Sequence, residues 1–183
     1  MGELDYLPHY TYDDYKLWEG DWELFEGIPV AMSPAPMINH QAIAGLFITK
    51  ISNEIENKGC NKCFALGEED YKLRDDIVLR PDVALICAEP NDVYITKAPE
   101  VIIEVVSTST AKNDENYKYH KYEAEGVNYY IIAYPEELYA IVYKLINGKF
   151  KKQGRFSEES YLFDQAACKI TINFNEIFEK FRK

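Results

Sequence analysis

One glutamate constrains this chain more than any other residue. It sits inside an otherwise apolar run, Val101-Ile102-Ile103-Glu104-Val105-Val106. A continuous run of β-branched residues suits a strand covered on both faces. An isolated carboxylate in such a place costs several kcal/mol unless a cation or a hydrogen-bond donor meets it. The sequence therefore requires a partner for Glu104, and the nearest conspicuous acid is Asp82, which follows Arg80-Pro81 and opens a second apolar strand, Val83 to Cys87. If the two strands are neighbours, both carboxylates converge on one hard cation, Mg²⁺ or Mn²⁺, of the kind held by one or two carboxylates and waters. The helix that follows Glu104 carries Asp114, Lys118 and Tyr122 at successive four-residue steps, hence on one face. Lys118 is the candidate for orienting or deprotonating a water. The competing readings are an exposed Asp114–Lys118 ion pair, a structural ion pair for Glu104, and a strand-entry role for Asp82.

The remaining patterning predicts one mixed α/β domain over residues 1–183. Thr11 with Asp14 three residues on predicts a short helix to about Trp18. Glu26-Gly27 between Trp22–Phe25 and Ile28–Met32 predicts a hairpin. Ser33-Pro34-Ala35-Pro36 is a stiff connection, after which Asn39 caps a helix with Ile43, Phe47, Ile51 and Ile55 on its buried face, ended by Lys58-Gly59. Strands are expected over Cys63–Leu66, Tyr71–Leu73 and Tyr129–Ala133, a helix from about Asp114 to Ala124 closed by Gly126, a hairpin around Asn147-Gly148, and a terminal helix over Phe174–Phe181.

Charge limits the partners. The net charge is −11, with eight acids against one base in residues 1–40. A surface gripping nucleic acid over a wide area needs Lys and Arg, so any such contact is expected to be local, around Lys149, Lys151 and Lys152 of the second hairpin. Those lysines could equally be the solvated face of an edge hairpin. No apolar run approaches the roughly 18 residues of a membrane span, and Met1-Gly2-Glu3-Leu4-Asp5 lacks the features of a signal peptide. A cytoplasmic location is expected, with Cys60, Cys63, Cys87 and Cys168 as reduced thiols.

These residues resemble the Uma-type restriction endonuclease family, a branch of the PD-(D/E)xK nuclease superfamily. The matching pieces are Trp22-Glu23-Leu24-Phe25-Glu26-Gly27, Met32-Ser33-Pro34-Ala35-Pro36, His40-Gln41, Pro81-Asp82-Val83, and Ile103 through Ala111, continued by Asp114, Lys118, Tyr122 and Gly126-Val127. The resemblance implies a restriction endonuclease-like α/β fold, a four- or five-stranded mixed sheet flanked by helices, with the active site at one edge. It implies metal-dependent hydrolysis of nucleic acid, DNA in particular, with Asp82 and Glu104 as metal ligands joined by the Val105 carbonyl. The lysine usual two positions after the acid is absent, since position 106 is Val, and Lys118 is its expected replacement. His40, Glu23 and Asp114 are expected to support the site. Because one site acts on one strand, a homodimer is expected for duplex substrates. The alternative is an inactive nuclease-fold domain serving as a protein-binding or dimerising module.

Overall fold

The structure is a computed structural model and describes residues 8–32, 37–107 and 110–182. The Ser33-Pro34-Ala35-Pro36 connection and Thr108-Ser109 lie outside the described residues.

The central sheet has six strands: β3 (Cys63–Gly67), β6 (Val83–Cys87), β7 (Val101–Val105), β8 (Tyr129–Tyr134), β9 (Tyr139–Ile146) and β10 (Lys149–Phe156), in the spatial order β10-β9-β8-β7-β6-β3. Among these neighbours only β7 and β8 run parallel. A parallel pair needs a crossover, here a π-helical turn at Asn113–Lys118 that continues into α3 (Tyr119–Glu125). Gly126 ends α3 at φ 83°, a left-handed conformation that glycine adopts without a Cβ clash.

Side-chain alternation divides the core into two layers. Val101, Ile103 and Val105 of β7 and Val83, Leu85 and Cys87 of β6 pack with α2 (Ile38–Lys58) through Ile43, Phe47 and Ile51, and with the C-terminal Phe174, Ile177 and Phe178. Ile102 and Val106 share the other face with Ala84, Ile86, Tyr122 and Tyr130. Glu104 has the parity of Ile102, so it points into this second layer beneath the crossover helix. Both faces of β7 are covered, the condition under which a strand reads as a continuous apolar run.

A second sheet, antiparallel and four-stranded, has the order β2-β1-β5-β4 and comprises β1 (Trp22–Phe25), β2 (Ile28–Ala31), β4 (Tyr71–Arg74) and β5 (Ile77–Leu79). Its hairpin turns at Glu26 and Gly27, both at positive φ, and a Cβ on Gly27 would stand 2.3 Å from the His9 ring. The last sheet is the pair β11 (Ser160–Leu162) and β12 (Thr171–Asn173). The expected four- or five-stranded sheet is thus a six-stranded one with a separate small sheet beside it. Ile77-Val78-Leu79 is three residues long, too short for its alternation to register. The first helix, α1, is a single turn at Tyr12–Tyr15, with the Asp14 carboxylate accepting from Thr11 N at 2.9 Å. The terminal helix is likewise short, α4 at Asn175–Phe178 followed by a 3₁₀ turn. The long helix starts at Ile38, and Met37, not Asn39, occupies its cap position.

The cysteines are not free thiols. Cys60 is bonded to Cys168 and Cys63 to Cys87, with Cα–Cα separations of 6.0 and 4.0 Å. Register brings the second pair together, since Cys63 stands directly opposite Cys87 across β3 and β6; such long-range pairings are invisible in spacing. The support that reduced thiols lent to a cytoplasmic location is removed. Among the described residues no helix is long and apolar enough to cross a membrane.

Candidate active site

The antiparallel register Val83↔Ile103, continued by one residue, sets Asp82 opposite Glu104 on the layer that faces the crossover helix. Short backbone-to-side-chain contacts tie the two strand ends together. Asp82 N lies 3.4 Å from Glu104 Oε2, and the Asp82 carboxylate accepts from Val105 N at 2.6 Å. The crossover helix then lowers two donors onto the other oxygen of Glu104. Lys118 Nζ is 3.1 Å and the Tyr122 hydroxyl 2.9 Å from Glu104 Oε1. With Oε1 doubly bonded, Oε2 is the oxygen left toward Asp82.

Glu23 enters from β1 of the small sheet. Its Oε1 is 2.9 Å from Lys118 Nζ and accepts from Arg80 N at 2.8 Å. Asp114 Oδ1 is 3.7 Å from the same ammonium, is buried, and has no hydrogen-bond partner. His40, on the first turn of α2, places Nε2 3.3 Å from Asp82 Oδ2. Glu23, His40, Glu104, Asp114 and Lys118 are all buried, and all line one cavity of about 200 Å³ together with Asp82, Thr110 and Asn113. The Asp114–Lys118 contact is therefore not the exposed helical pair of the bland reading.

The electrostatics follow from that crowding. Burial drives the Glu104 pKa well above the usual carboxylate range; Lys118 opposes this, while Asp114, Asp82 and Glu23 add to it. Burial likewise raises Asp114, to about 6. Lys118 goes the other way: burial disfavours its charge, but Glu104, Glu23 and Asp114 outweigh that and hold the ammonium protonated well above its ordinary value. A permanently charged Lys118 cannot serve as a base. His40 is raised too, burial being outweighed by Asp82 and by the Val105 backbone.

A raised carboxylate pKa means the folded chain holds a proton that the unfolded chain has released. For Asp114 this stability is fully present below pH about 4 and is lost as pH rises to about 6. Urea melts of the native protein and Asp114→Asn across pH 4–7 are expected to show the native protein losing on the order of 2 kcal/mol relative to the variant over that window. Parallel curves would contradict the assignment.

The fit to a divalent cation can be judged from the donor set. Four carboxylates (Glu23, Asp82, Glu104 and Asp114) face Lys118 and His40 in one cavity, so full ionisation leaves an excess of two negative charges even with His40 protonated. Among the described residues no three His, Cys, Asp or Glu side chains form a ready-made metal cage. Two converging carboxylates with room for water match a Mg²⁺-type site, which uses few protein ligands, and do not match a zinc site.

The structure gathers Asp82, Glu104, Lys118, His40, Glu23 and Asp114 around one cavity. It does not bring Lys149, Lys151 and Lys152 there. They lie on β10, three strands from β7, and Lys149 is held by Glu123 at 2.8 Å. Tyr122 was visible in the sequence as a residue on the face of Lys118 and as one piece of the resemblance; its bond to Glu104 depends on the crossover geometry. Thr110 was visible only as part of the matching segment Ile103 through Ala111, and Asn113 carried no signal.

The family model Uma2, described as "Putative restriction endonuclease", matches residues 12–172. A solved structure described as "a putative nuclease belonging to DUF820 from Anabaena variabilis ATCC 29413" is similar at 18% identity and a TM-score of 0.70, covering 92% of this chain and 97% of that one. This likeness shows the restriction endonuclease-like fold. The type IIG restriction endonuclease BpuSI is similar more loosely, at 14% identity and a TM-score of 0.42, over 83% of this chain and 17% of its own. No curated protein matches. With residues 12–172 under the family model, this chain belongs to the Uma2 restriction endonuclease family.

Proposed function

We propose that the chain is a metal-dependent endonuclease that hydrolyses DNA phosphodiester bonds at the Asp82–Glu104–Lys118 cavity. The observation that carries this reading is the unbalanced cluster, in which four carboxylates share a cavity with Lys118 and His40. Asp82 and Glu104, with the Val105 carbonyl, would hold Mg²⁺ or Mn²⁺. Bound there, the ion supplies charge neutralisation at the phosphate and acidifies the attacking water. Lys118 and Tyr122 fix Glu104 by its Oε1, and the Lys118 ammonium offsets charge building on the phosphate. His40 steadies Asp82. Asp114, whose pKa is about 6 and whose Oδ1 is buried and unbonded, is suited to accept the proton that the water releases. One such cavity serves one strand, so a duplex would be cut by a homodimer.

The test is cleavage of end-labelled single- and double-stranded DNA with Mg²⁺ or Mn²⁺ and with excess chelator. Cleavage is expected only with metal. Asp82→Asn and Glu104→Gln should each lower the rate by at least about a hundredfold, the scale seen when one electrostatic stabiliser is removed. Chelator-resistant cutting, or equal cutting by both variants, would refute the reading.

A further inference from the structure

A second cavity, of about 400 Å³, lies apart from the carboxylate cluster and is walled by Tyr12, Tyr15, Trp18 and Trp22. On β1 it is Glu23 that joins the carboxylate cluster; Trp22, its neighbour in an alternating strand, faces the opposite way. The rings meet edge to face, with centroids 5.7 Å apart for Tyr15–Trp18 and 5.8 Å for Trp18–Trp22. Three acids, Glu68, Glu69 and Asp70, and two bases, Lys16 and Arg80, line it as well, with Gly20 and Val93.

The hydrogen-bonding capacity of this cavity is lopsided. The Trp22 indole N–H is engaged by Glu19 O at 2.8 Å. The Tyr15 hydroxyl lies 2.9 Å from both Trp22 O and Asp70 Oδ1. Arg80 is held by Asp21 at 2.7 Å, by Asp70 at 3.3 Å and by Glu68 O, and Lys16 by Asp13 at 2.6 Å. With these donors engaged, the cavity presents aromatic faces and carboxylate oxygens, which attract a donor-rich cation. The same aromatic patch already draws one: Lys72 Nζ stands 4.7 Å over the Tyr12 ring. A phosphate-bearing ligand is disfavoured, because both bases of the lining, Lys16 and Arg80, are already paired with acids.

We propose that this cavity binds an organic cation, an alkylammonium or guanidinium group, by cation–π contact with Trp18 and Trp22 and by charge pairing with Glu69. The inference does not depend on the nuclease reading. The cation is either a free amine or a basic side chain on a partner protein; the recognising chemistry is the same.

The two tryptophans that wall the cavity are the only two in the chain, so intrinsic indole fluorescence reports on this site alone. The full protein is titrated with tetramethylammonium, agmatine and an acetylated, amidated Gly-Arg-Gly peptide at constant ionic strength, with the Gly-citrulline-Gly peptide as neutral control. Saturable changes are expected with the cations, at on the order of millimolar half-saturation for a cage of this kind, and no saturable change with the control. Glu69→Gln should weaken binding about tenfold; Trp18→Leu, read through Trp22, should do the same and serves if the first variant fails to fold. Equal half-saturation for agmatine and the Arg peptide identifies a free amine as the ligand class, and a peptide bound at least about tenfold tighter identifies a side chain. A response shared by the neutral peptide, or no saturation with any cation, overturns the proposal.

Discussion

Lys118→Met is expected to cost about 3–5 kcal/mol of folding stability at neutral pH, the penalty typical of removing one partner from a buried ion pair. Lys118 Nζ lies 2.9 Å from Glu23 and 3.1 Å from Glu104, and both carboxylates are buried. Met fills a similar volume, so the loss isolates charge from packing. The deficit should also depend on pH in a defined direction. Without the ammonium, the main force holding the Glu104 and Asp114 pKa values down is gone, and their folded-state values rise further above the unfolded ones. Stability carried by such groups is present at low pH and lost as pH rises. The variant should therefore approach the native protein near pH 4–5 and fall away from it above pH 6. Urea melts at several pH values measure this. A deficit that stayed constant with pH would mean that Lys118 contributes packing alone. On the proposed nuclease reading, in which Lys118 offsets charge on the phosphate, activity should fall by at least about a hundredfold in the same variant.

The second large effect concerns the Cys60–Cys168 bridge, which spans 108 residues of sequence. The chain-entropy model assigns about 4–5 kcal/mol to a loop of that size. The bridge fastens the end of α2 to the C-terminal segment, whose Phe174, Ile177 and Phe178 cover one face of the central sheet. A Cys60→Ala/Cys168→Ala double variant is expected to lose stability of that order, and its apparent Cm in urea should become insensitive to reductant at this bridge. The Cys63–Cys87 bridge closes 24 residues between strands that are already paired, so its removal should cost less, about 3 kcal/mol by the same model. Losses in the reverse order would argue that native-state strain, not loop closure, governs the two bridges.

How far the chain could be read before its structure differs from element to element. The strands Val83–Cys87 and Val101–Val105 were legible because strands covered on both faces write themselves as unbroken apolar runs, and Glu104 was legible as the exception inside one. The pairing of Asp82 with Glu104 required a guess about strand order that the register Val83↔Ile103 supplies. Lys118 was found by helical spacing, although the turn that carries it, Asn113–Lys118, is π-helical. Glu23 came from family resemblance, because nothing local marks it; its role depends on a hairpin from a separate sheet folding over the crossover helix. The disulfides and β5 were missed for one physical reason, that contacts across 24 to 108 residues, or strands three residues long, leave no periodicity. The lysines of β10 were legible as a cluster, and they stand at an edge of the sheet apart from the cavity.

The central claim is that the carboxylates of Asp82 and Glu104 form a site for one divalent cation. Calorimetric titration of Mn²⁺ into the native protein, Asp82→Asn and Glu104→Gln at pH 7 tests it most directly, since it needs no knowledge of the substrate. The account predicts saturable binding to the native protein with a matching rise in Tm, and loss of both in each variant. Binding of equal strength in all three proteins, or none in the native protein at millimolar Mn²⁺, would contradict it.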